Sequence, residues 1–182
     1  MSTQGSAPEA AAQASNTPAG RPRKAYTTGA VTTWLRRGSI LITLGSALTL
    51  IVTYGSLPDE IPIHFNLGGT ADGWGPKSSM FSLVGIFGAI VLGSAWLSTN
   101  PHLLNYPADV TEDNAQRMYR EGERLLVWLA FAIALLTVSF ALSTLLAVEL
   151  GFFITFMVAV LLGLSGVGVV RIINAGRWQP AP

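Results

Sequence analysis

The amino-acid sequence predicts an all-α integral membrane protein: a four-transmembrane-helix bundle with both termini in the cytoplasm and a structured outer loop between helices 1 and 2. Three observations predict it. Half of the 182 residues are hydrophobic and only 12% are charged, where a soluble domain carries about a quarter, and the mean hydropathy is +0.47. Four apolar runs stand at 38–57, 80–97, 125–148 and 150–173. Each is close to the ~20 residues that a helix needs to cross ~30 Å of hydrocarbon. Finally, the Lys and Arg residues alternate in density between successive segments. The N-terminal tail, the second loop and the C-terminus hold ten of them together, the first loop holds Lys77 alone, and the third turn holds none. Positive segments stay inside, so the expected setting is the plasma (inner) membrane, multi-pass, with the first loop outside.

Taken in order, residues 1–30 are rich in Ala, Ser, Thr, Gln, Gly and Pro and read as a disordered cytoplasmic tail. Arg21, Arg23, Lys24, Arg36 and Arg37 crowd the approach to the first run. Residues 31–97 form a two-span membrane domain whose extracytoplasmic motif loop occupies 57–79, with Pro58 ending the first helix because proline cannot continue it. That first run is longer than a signal-peptide core and lacks a small-x-small cleavage site, which makes it a span. Residues 98–124 are a cytoplasmic connector. Asn100-Pro101 marks a turn there, and Asp109 with Glu112 suits a capping box opening a helix that runs into the third span. Asp113, Arg117 and Glu121 stand four apart, as in a solvated ion-pair ladder. Residues 125–173 form a helical hairpin that reverses around Glu149 and Gly151, and 174–182 form a short cytoplasmic tail.

The same inventory narrows the function. There is no cysteine, hence no disulfide, thiolate metal site or cysteine nucleophile, and a net charge of +1 offers no basic face for nucleic acid. His, Asp, Lys and Arg are missing from the centres of the spans, where proton relays, ion-coupled transport and bis-histidine haem would need them. The two histidines, His64 and His102, fall on opposite sides of the membrane in this topology. No catalytic residue, cofactor or metal ligand is therefore assigned, and the chain is read as non-enzymatic. Small residues recur every four positions at Gly85, Ala89 and Gly93 in the second span and at Ala159 and Gly163 in the fourth. The third span carries Ala130 with Ala134 and Ser139 with Ser143. Such faces allow close helix approach, within this chain's own bundle or against another subunit.

The densest cluster of polar and special residues lies in the first loop. From Ile61 to Phe65 apolar and polar residues alternate, with Ile61, Ile63 and Phe65 on one side and Pro62, His64 and Asn66 on the other, which suits a short extended strand along the interface. Gly68-Gly69 and Asp72-Gly73 read as turns, Trp74 and Tyr54 fit the interfacial aromatic belt, and Lys77 is placed to snorkel to the headgroups. His64, Asn66 and Asp72 could build a hydrogen-bond network or a weak oxygen-rich cation site, or simply satisfy the turns.

The run L-P-x-x-I-P-x-H-F-N-x-x-G, followed by D-G-W-G-x-K and an apolar span, resembles a bacterial membrane domain of unknown function. That domain forms the N-terminal part of SdpI-like immunity proteins. The positions that carry the resemblance include Pro58, Pro62, His64, Phe65, Asn66, Asp72, Trp74 and Lys77, and it spans about residues 40 to 97. It implies a protein that meets a peptide, lipid or envelope component through its outer loop. The alternative expectation is a small accessory subunit of a larger membrane complex, docked through the small-residue faces; the expected partners are the lipid bilayer and either another membrane protein or further copies of the chain.

Overall fold

The computed structural model describes residues 18–146, 148 and 150–177. Four helices run through it: α1 (Ala30–Val52), α2 (Ser79–Thr99), α3 (Ala115–Leu146) and α4 (Gly151–Gly176). All four are long and apolar enough to cross a membrane. Between α1 and α2 the chain makes a two-stranded antiparallel hairpin, β1 (Glu60–Phe65) and β2 (Ala71–Pro76). The protein is thus a multi-pass helical bundle with a small β-hairpin at one end. The opposite end carries residues 18–29 and the α2–α3 connection.

α3 is the central helix. It packs against α1, α2 and α4, whereas α4 lies chiefly against α3. Its sequence explains the position, because Ala130, Ala134, Ser139, Ala141 and Ser143 are small enough to let neighbouring backbones approach, and all are buried. α4 buries only Gly151, Met157 and Ile172 and leaves Phe152, Leu162, Val167 and Val170 outward. In hydrocarbon such a face is as well solvated as a polar face is in water.

Apolar packing gathers at the two ends. At the hairpin end Leu50, Leu57, Ile61, Met80, Phe140 and Ala141 form one cluster, which ties the hairpin to α1, α2 and α3. At the tail end Tyr106, Val110, Met118, Tyr119 and Ile172 form another, with Tyr26 packed on it.

Several expectations are corrected. α1 ends at Val52, before Pro58, and a 3₁₀ turn at Tyr54–Ser56 intervenes. Gly55 and Ser56 favour the helical state weakly, so the chain tightens before proline stops it. α3 opens at Ala115, capped by a reciprocal pair in which Thr111 N–H donates to Asn114 Oδ1 (2.8 Å) and Asn114 N–H to Thr111 Oγ1 (3.4 Å). Asp109 and Glu112 are not that cap. Glu121, expected in a ladder with Asp113 and Arg117, pairs with Arg124 (2.7 Å) and with Arg171 from α4 (2.8 Å). Glu149, expected at the last reversal, lies outside the described residues, as do 1–17 of the N-terminal tail and 178–182 of the C-terminal one.

Residues 18–29 depart most from the sequence reading, which made them disordered. They lie on the tail end of the bundle through backbone and side-chain bonds. Tyr119 Oη donates to Pro22 O (2.9 Å), Gln116 Nε2 donates to Arg23 O (2.9 Å), and Arg21 donates to Leu104 O (2.6 Å). The polar composition that argued against a core is what supplies these partners.

Candidate functional site

The hairpin is built by its glycines and its proline. Gly69 sits at the tip with φ +83°, the left-handed region that favours glycine, and a Cβ there would fall 2.2 Å from Phe152 N. Gly151, the first residue of α4, meets it from the other side: a Cβ on Gly151 would overlap Gly69 O. Two backbones therefore touch, and the hairpin tip rests on the start of α4. Thr155 Oγ1 adds a long bond to Asn66 O (3.5 Å).

Asp72-Gly73, expected as a turn, instead lies inside β2. Gly73 stands opposite His64, where a Cβ would come within 2.9 Å of the His64 Cβ, so glycine here permits close strand pairing. The pairing slips between Pro62 and His64, a bulge at Ile63. Strict alternation is lost there: Ile61, Pro62 and Phe65 all turn toward one cavity, while Ile63 packs on Gly75.

The structure divides the eight predicted loop residues into two groups. His64, Asn66, Asp72 and Lys77 hold the hairpin. His64 Nδ1 lies 2.5 Å from Asp72 Oδ1, across the strands and largely exposed. Asn66 Oδ1 accepts from Thr70 N–H (3.0 Å), closing the turn. Lys77 Nζ pairs with the exposed Asp59 (3.0 Å) and lies over the Tyr54 ring (5.4 Å). Pro58, Pro62, Phe65 and Trp74 belong to the second group, which lines a cavity of about 180 Å³ beneath the hairpin. Ser143 and Thr144, near the end of α3, and Val148 beyond it close the cavity.

That cavity is mainly apolar, with Glu60 at its edge. Thr144 Oγ1 is buried on its wall without a hydrogen-bond partner, while Ser143 Oγ donates to Val148 O (2.9 Å). A ~150 Å³ apolar cavity admits a benzene ring, so this one admits an aromatic or branched side chain. Trp74, at the rim, is partly exposed, and Leu67, in the turn between β1 and β2, is 93% exposed.

The small-residue faces are placed differently from one another. Those of α3 are buried, but Gly85, Ala89 and Gly93 on α2, and Ala159 and Gly163 on α4, lie outward. A Cβ at Gly85, Gly93 or Gly163 would meet nothing within 4 Å, so these positions do not serve close packing inside the chain.

A second polar centre was not singled out from the sequence. Glu123, 1% exposed, lies where residues 18–29 cross α3. Its carboxylate accepts from Tyr26 Oη (2.8 Å), Thr28 Oγ1 (2.7 Å) and Lys24 Nζ (3.1 Å), and from Arg36 of α1. Burial, then the adjoining carboxylate, pushes the Tyr26 phenol above its ordinary range, so it remains a donor. The available signal was a tail with Lys24, Tyr26 and Thr28 at alternate positions, facing a carboxylate in the connector.

With this geometry in view, comparison with known proteins adds one finding. Residues 41–88 match the model of a family described as a domain of unknown function, DUF1648. The match runs from within α1 through the hairpin into α2. No curated protein and no solved structure matches the chain. The fold is that of a multi-pass membrane protein in which the segment matching this model is followed by two further span-length helices among the described residues.

Proposed function

We propose that the chain is a non-enzymatic recognition protein of the bacterial plasma membrane that takes an apolar side chain of a membrane-active peptide into the hairpin cavity. The observation that carries this reading is the convergence of Ile61, Pro62, Phe65, Gly69 and Trp74 with Thr144 around one aromatic-sized space. The unpartnered Thr144 hydroxyl offers a hydrogen bond to whatever enters. The resemblance of the L-P-x-x-I-P-x-H-F-N loop to SdpI-like immunity proteins supports the same reading, as does the match to the domain of unknown function. The distribution of Lys and Arg supports a hairpin facing outside and a tail end facing the cytoplasm.

The test replaces Ala71, on the cavity wall, with a benzophenone-bearing residue, and Leu162, on the outward face of α4, as a control. Cells expressing either form are challenged with a membrane-active peptide mixture, irradiated and analysed by mass spectrometry. A peptide adduct at position 71 and none at 162 is expected. Lipid adducts alone at both positions would sink the proposal.

A second reading, an accessory subunit of a membrane complex, draws on the outward α2 face. Under it, Gly85→Leu releases the chain from a larger assembly without changing its own melting temperature, because the added side chain meets open space. Unchanged co-migration with larger partners would remove that reading.

A further inference from the structure

On the tail side of the seam between α3 and α4 lies an open cleft of about 640 Å³. Arg117, Arg120 and Arg124 border it from α3, at spacings that put them on one helix face, and Arg171 borders it from α4. One carboxylate, Glu121, stands among these four guanidinium groups. It accepts from Arg124 through Oε1 (2.7 Å) and pairs with Arg171 through Oε2 (2.8 Å), which fixes those two cations side by side. Arg120 lies against the Tyr26 ring (4.9 Å) and borders the same space. The cleft is therefore net positive, and a guanidinium bonded through one or two N–H groups still has others to offer.

Directly below, and sharing Glu121, Arg124 and Arg171 with it, runs a smaller groove of about 130 Å³. Its walls are apolar: Leu125, Trp128, Leu164 and Val167, with Gly168 where α4 crosses closest to Leu125. A Cβ on Gly168 would stand 2.4 Å from Leu125 Cδ1, so glycine sets the depth of the seam. Trp128 is partly exposed at this level, as interfacial tryptophans are. An arginine-rimmed cleft opening onto an apolar groove at the polar boundary of a transmembrane bundle has the amphipathic form of a phospholipid.

We propose that this seam binds one anionic phospholipid, its phosphate among Arg120, Arg124 and Arg171 and one acyl chain along Leu125, Leu164 and Val167. The lipid fills the seam between α3 and α4, and because α4 has α3 as its main neighbour, it thereby fixes α4 to the bundle. Attraction of this kind weakens as salt screens the exposed guanidinium groups.

The experiment uses the full chain in an uncharged mild detergent and native mass spectrometry. The probes are phosphatidylglycerol, phosphatidylcholine of the same acyl chains, and inorganic phosphate. One phosphatidylglycerol is expected to remain bound in preference to phosphatidylcholine. Arg120→Gln or Arg171→Gln is expected to lower that preference about five-fold each, the effect of one surface charge on an anionic lipid. Arg23→Gln removes the same charge outside the seam and leaves the preference unchanged. Val167→Trp fills the groove and lowers phosphatidylglycerol binding whether or not an arginine variant folds. Equal retention of the two lipids would overturn the proposal. So would a preference untouched by the arginine variants, or displacement of the lipid by inorganic phosphate with Val167→Trp silent, which would mark a site for soluble anions.

Discussion

Glu123 is held by side chains from residues 18–29 and from α1, and each partner contributes a hydrogen bond or a cation. Removing one member of a buried ion pair strands the other, at about 3–5 kcal/mol. Glu123→Ala is therefore expected to release residues 18–29 and to open the bonds after Arg23 and Lys24 to trypsin in detergent, whereas Glu123→Gln keeps acceptor bonds and loses less. Equal protection of both variants would contradict the account. Gly69 is the second constrained position. Its φ of +83° and its approach to Phe152 leave no room for a Cβ. Gly69→Ala should cost at least about 1–3 kcal/mol for the backbone conformation. The expected readout is faster proteolysis between β1 and β2, checked by limited digestion against Gly68→Ala. Gly69 was legible in the sequence because a Gly-Gly pair is a local turn signal. Glu123 was not, because nothing local distinguishes a carboxylate that a distant tail will cover from one that water covers.

Among the elements, the hairpin depends on Ile61, which is 1% exposed and belongs to the cluster of Leu50, Met80 and Phe140. Ile61→Ala should destabilise by about 2–5 kcal/mol, the range for truncating a buried aliphatic side chain. His64→Ala breaks an exposed pair and should cost about 1 kcal/mol or less. Thermal unfolding in detergent compares the two directly, and a larger loss for His64→Ala would make the exposed pair, rather than the buried isoleucine, the anchor of the hairpin. β1 was legible from alternation over Ile61 to Phe65. β2 was not, because Gly73, Gly75 and Pro76 read as punctuation when no partner strand is in view. Helix existence was legible from hydropathy alone. Helix ends were not, since α1 and α3 extend through polar turns whose partners lie elsewhere in the chain.

For the molecule as a whole, the number of spans followed from four apolar runs, and the hub position of α3 followed from none of them singly. A helix with small residues on several faces is central only if three neighbours use those faces, as α1, α2 and α4 do. The outward glycines of α2 and α4 show the limit of the same signal, because spacing alone does not say which small-residue face is filled. The cavity lay in the same category: Pro58, Pro62, Phe65 and Trp74 are near one another in sequence, but Ser143 and Thr144 come from the far end of α3.

Recognition of a peptide from outside requires that this cavity face the exterior of the cell. The chain contains no cysteine, so a single introduced thiol reports without background. The most direct measurement places one at Ala71 and, in a separate variant, at Arg23, and labels intact cells with a membrane-impermeant maleimide. Labelling of position 71 in intact cells, and of position 23 only after permeabilisation, is the predicted result. The reverse pattern would put the hairpin in the cytoplasm and contradict recognition from outside.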